Sequence, residues 1–209
     1  IVHLANFLMC MGAEIKGAGS STIKIEGVKD LVATEYALIP DRIETGTYMV
    51  AAAITHGDIL LKNSDLSLLE SVVLKLREAA VEIEVLDEGV HVTSLDTFHP
   101  INIVTEIYPG FPTDMQPIIT PLLSIADGES TIRETIFDRR FTHVPELRKM
   151  GADVKVNGDT IFVKGVKKLR GVEVKAPDIR AGGSLVLAGL IAEGETTING
   201  VAQIFRGYE

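Results

Sequence analysis

The sequence holds one cysteine and no tryptophan, and its only aromatics are seven Phe and four Tyr. A single cysteine excludes an intrachain disulfide and fits a reducing cytoplasm. Cys10 falls in the apolar stretch Ala5–Met11, where it is expected as a small buried side chain. Long hydrophobic runs are also missing. The apolar segments are interrupted by charge, so none approaches the roughly 20 residues that cross a bilayer, and no membrane partner is expected. The first residues do not read as a signal peptide, because no basic stretch precedes an apolar one. Basic residues are scarce: Lys and Arg number 20 against 29 Asp and Glu, a net charge of −9. Nucleic-acid partners want a concentrated basic surface, so that class is disfavoured, while a local arginine pocket for a small anion remains compatible. The five histidines, at 3, 56, 91, 99 and 143, show no metal-ligand spacing, and neither metal nor cofactor is expected.

What the chain does have is internal repetition. Three passages carry an apolar helix into a small-residue break and then an acidic, β-branched strand: Leu8-Met9-Cys10-Met11-Gly12-Ala13-Glu14-Ile15, Leu76-Arg77-Glu78-Ala79-Ala80-Val81-Glu82-Ile83, and Leu147-Arg148-Lys149-Met150-Gly151-Ala152-Asp153-Val154. Gly12 to Ala80 is 68 positions and Ala80 to Gly151 is 71. A second echo, Ile54-Thr55-His56-Gly57-Asp58, Ile125-Ala126-Asp127-Gly128-Glu129 and Ile191-Ala192-Glu193-Gly194-Glu195, recurs at 71 and 66. A unit of about seventy residues is being reused.

The best copy spells out the unit. Ile101–Glu106 alternates as a strand, Tyr108–Pro112 is a loop, and Thr113 is expected to cap a helix over Asp114–Ala126 through a Thr-x-x-Gln box with Gln116. A strand over Ser130–Thr135, a helix over Val144–Met150, and strands Asp153–Val156 and Thr160–Val163 joined at Asn157-Gly158 complete a β-α-β-α-β-β order. The preceding copy predicts a helix Ile43–Thr55, a strand Asp58–Lys62, a helix Leu66–Ala79 and a hairpin from Glu82 to Thr93. In that second helix Leu69, Val72, Val73, Leu76 and Ala80 form an apolar stripe. A third copy begins with strand Val172–Lys175, helix Arg180–Ala192 and strand Thr196–Asn199. The fold class is therefore α/β (α+β), built of repeated β-α-β-α-β-β units. The chain opens inside a helical pattern without an initiator Met and stops abruptly, so it is expected to be a fragment. Its boundary is placed at Ile39-Pro40: residues 1–39 read as the tail of one lobe and 40–209 as a second lobe.

Aligned copies put three segments in one structural place, the first turn of each unit's first helix. They are Ile39-Pro40-Asp41-Arg42-Ile43-Glu44, Phe111-Pro112-Thr113-Asp114-Met115-Gln116 and Ala176-Pro177-Asp178-Ile179-Arg180-Ala181. Taken singly, each aspartate is ordinary capping chemistry, about 1 kcal/mol per cap. Taken together, converging helix N-termini with Arg42, Arg180 and Arg206 beside them make a site for an anion such as phosphate. Ala181-Gly182-Gly183-Ser184 would let a ligand approach the backbone, and a carboxylate held among arginines stays ionised as a proton acceptor. Lys16-Gly17-Ala18-Gly19-Ser20-Ser21 joins two strands and reads as a hairpin loop instead. Asp138-Arg139-Arg140 is a charge run of the kind usually found in a solvated loop, and its place before a unit's second helix leaves an arginine facing a pocket as the lesser alternative.

Four motifs resemble a known family. Phe111-Pro112-Thr113-Asp114-Met115-Gln116, Arg140-Phe141-Thr142-His143-Val144-Pro145-Glu146-Leu147, Asp178-Ile179-Arg180-Ala181 with Ser184–Gly189, and Arg206-Gly207-Tyr208-Glu209 are similar, in that order, to the enolpyruvyl transferases that act on UDP-N-acetylglucosamine. The resemblance implies a two-lobed fold of three such units per lobe, an inside-out α/β barrel. It implies a cytoplasmic transferase of peptidoglycan synthesis that adds the 3-hydroxyl of UDP-N-acetylglucosamine to C2 of phosphoenolpyruvate and releases phosphate. By it, Asp114 accepts the hydroxyl proton, Arg140, Arg180 and Arg206 hold phosphoenolpyruvate, and Ile136 makes a backbone contact to the UDP-sugar. Asp41 and Asp178 fall at site-facing or lobe-closing positions. The family's proton-donating cysteine and its phosphoenolpyruvate-neutralising lysine belong to the other lobe, and Cys10 does not match the former, so this chain alone is expected to be inactive. Departures from the family pattern are Gln203 and Phe205 ahead of Arg206, Arg139 where Asn is frequent, and Ala80 where Gly is common. The alternatives are a shikimate-type enolpyruvyl transferase and a non-catalytic ligand-binding paralogue.

Overall fold

A computed structural model describes residues 1–208, and the chain divides into two compact units, Ile1–Pro40 and Asp41–Glu209. The first unit holds helix α1 (Val2–Cys10) and an antiparallel pair, β1 (Glu14–Lys16) and β2 (Lys24–Glu26), with Ile15 opposite Ile25. The glycine-bearing segment after Lys16 is the connection of that pair, as its place between two strands predicts. Cys10 departs from expectation. It is exposed, because α1 buries only Ala5, and a residue five positions on lies about 140° around the helix from it.

The second unit contains α2 (Arg42–Ile54), β3 (Ile59–Leu61), α3 (Glu70–Glu78), β4 (Val81–Leu86) and β5 (Gly89–Ser94). It continues with β6 (Asn102–Val104), α4 (Met115–Leu123), β7 (Glu129–Arg133), α5 (Val144–Lys149), β8 (Asp153–Asn157) and β9 (Thr160–Lys164). A third, shorter copy is β10 (Glu173–Lys175), α6 (Ile179–Ile191) and β11 (Thr197–Asn199). The repeat is visible in pairing. The order β3-β5-β4 matches β7-β9-β8, and the parallel pair β6-β7 matches the parallel pair β10-β11. The three sheets stay separate and do not close into one barrel among the described residues.

Helices α2, α4 and α6 pack on one another at the centre, and sheets lie against them, α2 on β5, α4 on β9 and α6 on β11. Their composition requires that position. All nine residues of α4, Met-Gln-Pro-Ile-Ile-Thr-Pro-Leu-Leu, are buried, and a helix apolar on every side is stable only when covered all round. Close approach is made possible by missing side chains. A Cβ on Gly46 would lie 2.8 Å from the Met115 methyl, and one on Gly182 would lie 2.5 Å from Ile204. Gly183 would meet Ile118 at 2.9 Å and the Tyr208 ring at 3.2 Å. The small stretch in α6 therefore admits neighbouring side chains, whereas the sequence suggested a ligand.

The recurring break is a helix C-cap. Gly12, Ala80 and Gly151 have φ of 100°, 73° and 92°. After α1 and α5 the following amides close the Schellman pattern, Ala13 N–H to Leu8 O at 3.0 Å and Ala152 N–H to Leu147 O at 3.1 Å. Arg77 and Arg148 then reach forward to the strand, donating to Ile83 O at 2.7 Å and Val154 O at 2.6 Å. The expected helix Leu66–Ala79 is instead a 3-10 turn, Leu66–Leu68, followed by α3, because Leu69 (φ −134°) breaks the helical path. The apolar stripe from Leu69 to Ala80 is nonetheless buried.

Candidate active site

The three Pro-Asp segments fold differently in the one respect that matters for chemistry. Asp41 and Asp178 have extended backbones (φ −73°, ψ 111° and φ −151°, ψ 176°) and cap their own helices. Asp41 Oδ1 accepts from Ile43 N–H at 2.7 Å and Glu44 N–H at 3.2 Å. Asp178 Oδ1 accepts from Arg180 N–H and Ala181 N–H, both at 2.9 Å. Capping needs that extended conformation, which folds the side chain back over the first turn. Asp114 has a helical backbone instead (φ −68°, ψ −26°) and makes no cap bond. Its carboxylate is left for other partners.

Those partners are two arginines. Arg140 Nη2 lies 2.6 Å from Asp114 Oδ1, and Arg180 Nη2 lies 3.2 Å from Asp114 Oδ2. Burial by itself would raise the Asp114 pKa. The hydrogen bond from Arg140 and the charges of both arginines outweigh it and hold the carboxyl below its ordinary range. Arg180, whose side chain is 15% exposed, also donates to the Tyr208 hydroxyl at 3.3 Å, which is 3.0 Å from the Thr47 hydroxyl of α2. Burial opposes its charge, yet Asp114 and Tyr208 raise its pKa further. Arg140 stacks over Phe137 at 5.1 Å and donates through Nη1 to Thr113 Oγ1 at 3.0 Å.

That last contact overturns the expected capping box. Thr113 Oγ1 donates to Glu134 Oε2 at 2.8 Å while receiving Arg140, which turns the hydroxyl toward those partners, and it accepts from no helix amide. The Gln116 side chain is buried with both polar atoms unpartnered. Asp178 Oδ2 accepts from the Thr142 hydroxyl. Burial raises its pKa, but the Ala181 amide, Thr142 and the Arg180 amide together lower it overall. Ile136 is tied to the cluster through its backbone. Its N–H donates to Glu134 Oε1 at 2.9 Å, and it lines a cleft of about 670 Å³ with Glu106, Tyr108, Pro109, Gly110 and Thr135. Arg206 is exposed, with its guanidinium 3.3 Å from Gln203 Oε1 and no ion pair to the cluster among the described residues. Arg42 stacks over Tyr108 at 5.2 Å rather than joining Asp114. No group of three or more His, Cys, Asp or Glu that could hold a metal occurs among the described residues.

The family model described as EPSP synthase (3-phosphoshikimate 1-carboxyvinyltransferase) matches residues 1–209. The chain belongs to the EPSP synthase family. Over its whole length it is 53% identical to UDP-N-acetylglucosamine 1-carboxyvinyltransferase of Magnetococcus marinus and 51% identical to UDP-N-acetylglucosamine 1-carboxyvinyltransferase 1 of Caldanaerobacter subterraneus subsp. tengcongensis. It spans about half of each, 50% of their length. Among solved structures it matches the enolpyruvyl transferase NikO from Streptomyces tendae with a TM-score of 0.87 and 28% identity, over 99% of this chain and 50% of that one. EPSP synthase from Acinetobacter baumannii matches with a TM-score of 0.75 and 22% identity, over 98% and 51% respectively, a likeness of fold alone.

In this member of the EPSP synthase family, Thr142 and Tyr208, quoted in motifs but given no role, join the arrangement, as do Thr113, expected only as a helix cap, and Glu134, which the sequence did not single out. One signal was present for Glu134. Ser130, Ile132 and Glu134 alternate onto the buried side of β7 and its extension, and an acid in an inward position is rare enough to question. No helix is long and apolar enough to cross a membrane among the described residues.

Proposed function

We propose that this chain is the C-terminal part of a UDP-N-acetylglucosamine 1-carboxyvinyltransferase. The observation that carries the reading is the uncapped Asp114 carboxylate, held ionised between Arg140 and Arg180 at the N-termini of two central helices. A proton acceptor beside two guanidinia suits a reaction in which a hydroxyl attacks an anionic substrate. The names of the relatives near 50% identity point to the same acceptor.

In this reading the 3-hydroxyl oxygen of UDP-N-acetylglucosamine bonds to C2 of phosphoenolpyruvate while its proton passes to Asp114. C3 takes a proton from a donor in the other lobe, and loss of that position's proton with phosphate restores the enol ether. Arg140, Arg180 and Arg206 bind the phosphate and carboxylate. The Arg206 guanidinium lies beside Gln203. Ile136 offers its backbone to the UDP-sugar at the cleft. Asp41 and Asp178 fix the helix N-termini and, through Thr142, the segment that follows Arg140. Residues 1–39 belong to the first lobe and 40–209 to the second, the enzyme works in the cytoplasm on the cell-wall precursor, and half the site lies in the other lobe.

The test is phosphate release. The full-length protein should release phosphate from phosphoenolpyruvate with UDP-N-acetylglucosamine and not with shikimate 3-phosphate, and this chain alone should release none. Asp114→Asn should lower kcat by about 10²–10⁴-fold. Release with shikimate 3-phosphate only, or an Asp114→Asn variant at wild-type rate, would refute the reading.

A further inference from the structure

Glu134 is 3% exposed and has no lysine, arginine or histidine in ion-pair contact among the described residues. Its charge is answered by dipoles. Oε1 accepts from the Thr105 hydroxyl at 2.8 Å, Ile136 N–H at 2.9 Å and Phe137 N–H at 3.1 Å, and Oε2 accepts from the Thr113 hydroxyl at 2.8 Å. Thr105 is held in turn, since its Oγ1 accepts from Thr135 N–H at 2.9 Å. An apolar side chain would occupy an inward strand position at far lower desolvation cost than a carboxylate. It would also leave the Ile136 and Phe137 amides and two hydroxyl hydrogens without an acceptor, so what the acid contributes is the set of groups it holds.

The bonds lead in two directions, both toward the site. Through Oε1 the carboxylate ties down the turn that carries Ile136 and Phe137, and Phe137 is the ring on which Arg140 stacks. Through Oε2 it sets the sense of the Thr113 hydroxyl. A threonine has one hydroxyl hydrogen, and giving it to Glu134 leaves lone pairs for Arg140, whose guanidinium can only donate. The result is one directed chain: Arg140 Nη1 donates to Thr113, Thr113 donates to Glu134, and Arg140 Nη2 donates to Asp114.

We infer that Glu134 is a positioning residue of this site: a buried anion that sets Arg140, by way of Thr113 and Phe137, and the Ile136 backbone against Asp114. The inference rests on the enolpyruvyl-transfer reading for its kinetic consequence and on geometry for its structural one. In Glu134→Gln the amide oxygen can keep the Thr105, Ile136 and Phe137 bonds. The amide nitrogen then faces Thr113 as a donor, and the Thr113 hydrogen loses its acceptor.

The full-length protein is compared as wild type, Glu134→Gln, Thr113→Val and the double variant. Two readouts are taken: the Arg140 Nε–Hε resonance without substrates, assigned by its loss in Arg140→Lys, and the kinetics of phosphate release. Melting temperatures identify any variant that fails to fold, in which case Thr113→Val, lying outside the buried acid, decides. The resonance should shift in both single variants. The kcat should fall about tenfold or more with a smaller change in either KM, and the double variant should be no worse than the poorer single one. An Arg140 resonance that stays in place overturns the inference whatever the activity. A kcat within about twofold of wild type, or losses that multiply in the double variant, overturns it as well. If wild type releases no phosphate at all, the functional reading fails while the resonance still decides the positioning claim.

Discussion

Replacing Asp114 by Asn removes one charge and one acceptor while conserving shape. Asp114 makes two charge-assisted contacts, 2.6 Å to Arg140 and 3.2 Å to Arg180, of a kind contributing about 1.5–3 kcal/mol each when well desolvated. Its side chain is 34% exposed, so solvent screening brings the pair down to about 1–2 kcal/mol in total. Asn keeps one oxygen for one arginine and turns a donor toward the other, so most of that amount should be lost near neutral pH. The pH dependence separates charge from shape. The folded pKa of Asp114 lies below its unfolded value of 3.8, so its contribution is fully present above that value and declines as pH falls through the folded pKa. Urea unfolding of both proteins should give a gap of about 1–2 kcal/mol that is flat from about pH 8 to pH 5 and narrows as pH falls below 3.8. The gap should also shrink in about 1 M salt, where charges are screened beyond about 3 Å. A gap of equal size at both ends of the pH range, or none at neutrality, would refute the ion-pair account.

Ala80 holds φ of 73° without being glycine, a conformation costing an L-residue about 1–2 kcal/mol. Ala80→Gly relieves that strain but loses about 0.4–1 kcal/mol to unfolded-chain entropy and about 0.8 kcal/mol of buried methyl, so the stability should stay within about 0.5 kcal/mol of wild type in urea unfolding; a loss of about 1–2 kcal/mol would show the strain is absent. His143 is fully buried, and burial pushes its pKa down to about 3. Its ring resonances should therefore not titrate between about pH 8 and pH 5. Because the unfolded chain takes up this proton near 6.5 and the folded one near 3, His143 costs stability as pH falls from 6.5, and a midpoint near 6.5 in the native spectrum would contradict its burial.

Much of the fold was legible because its determinants are local. Asn157-Gly158 marked the hairpin of β8 and β9, and helical spacing from Leu69 to Ala80 marked the buried face of α3. Local rules failed where a distant group competed for the same atom. The Thr113 hydroxyl had a good local use as a cap, but Glu134, 21 residues on, orients it and Arg140, 27 residues on, donates to it. Cys10 had the composition of a buried residue but sits on the uncovered side of α1. Gly182 and Gly183 looked like an open backbone, and Ile204, Tyr208 and Ile118 occupy that space.

By itself the sequence determined the seventy-residue repeat, the α/β class, and the fact that aspartates and arginines recur at equivalent helix starts. Those are properties of spacing, which a linear chain carries in full. Tertiary structure decided which aspartate is chemically available. Asp41, Asp114 and Asp178 look alike in the repeat, but two have extended backbones that turn the carboxylate onto their own helix amides. Asp114 takes a helical backbone and is captured by Arg140, 26 positions along, and Arg180, 66 positions along. Backbone torsion at one residue and contacts across that distance are not encoded in local pattern, and they are what turn one of three capping residues into a candidate proton acceptor.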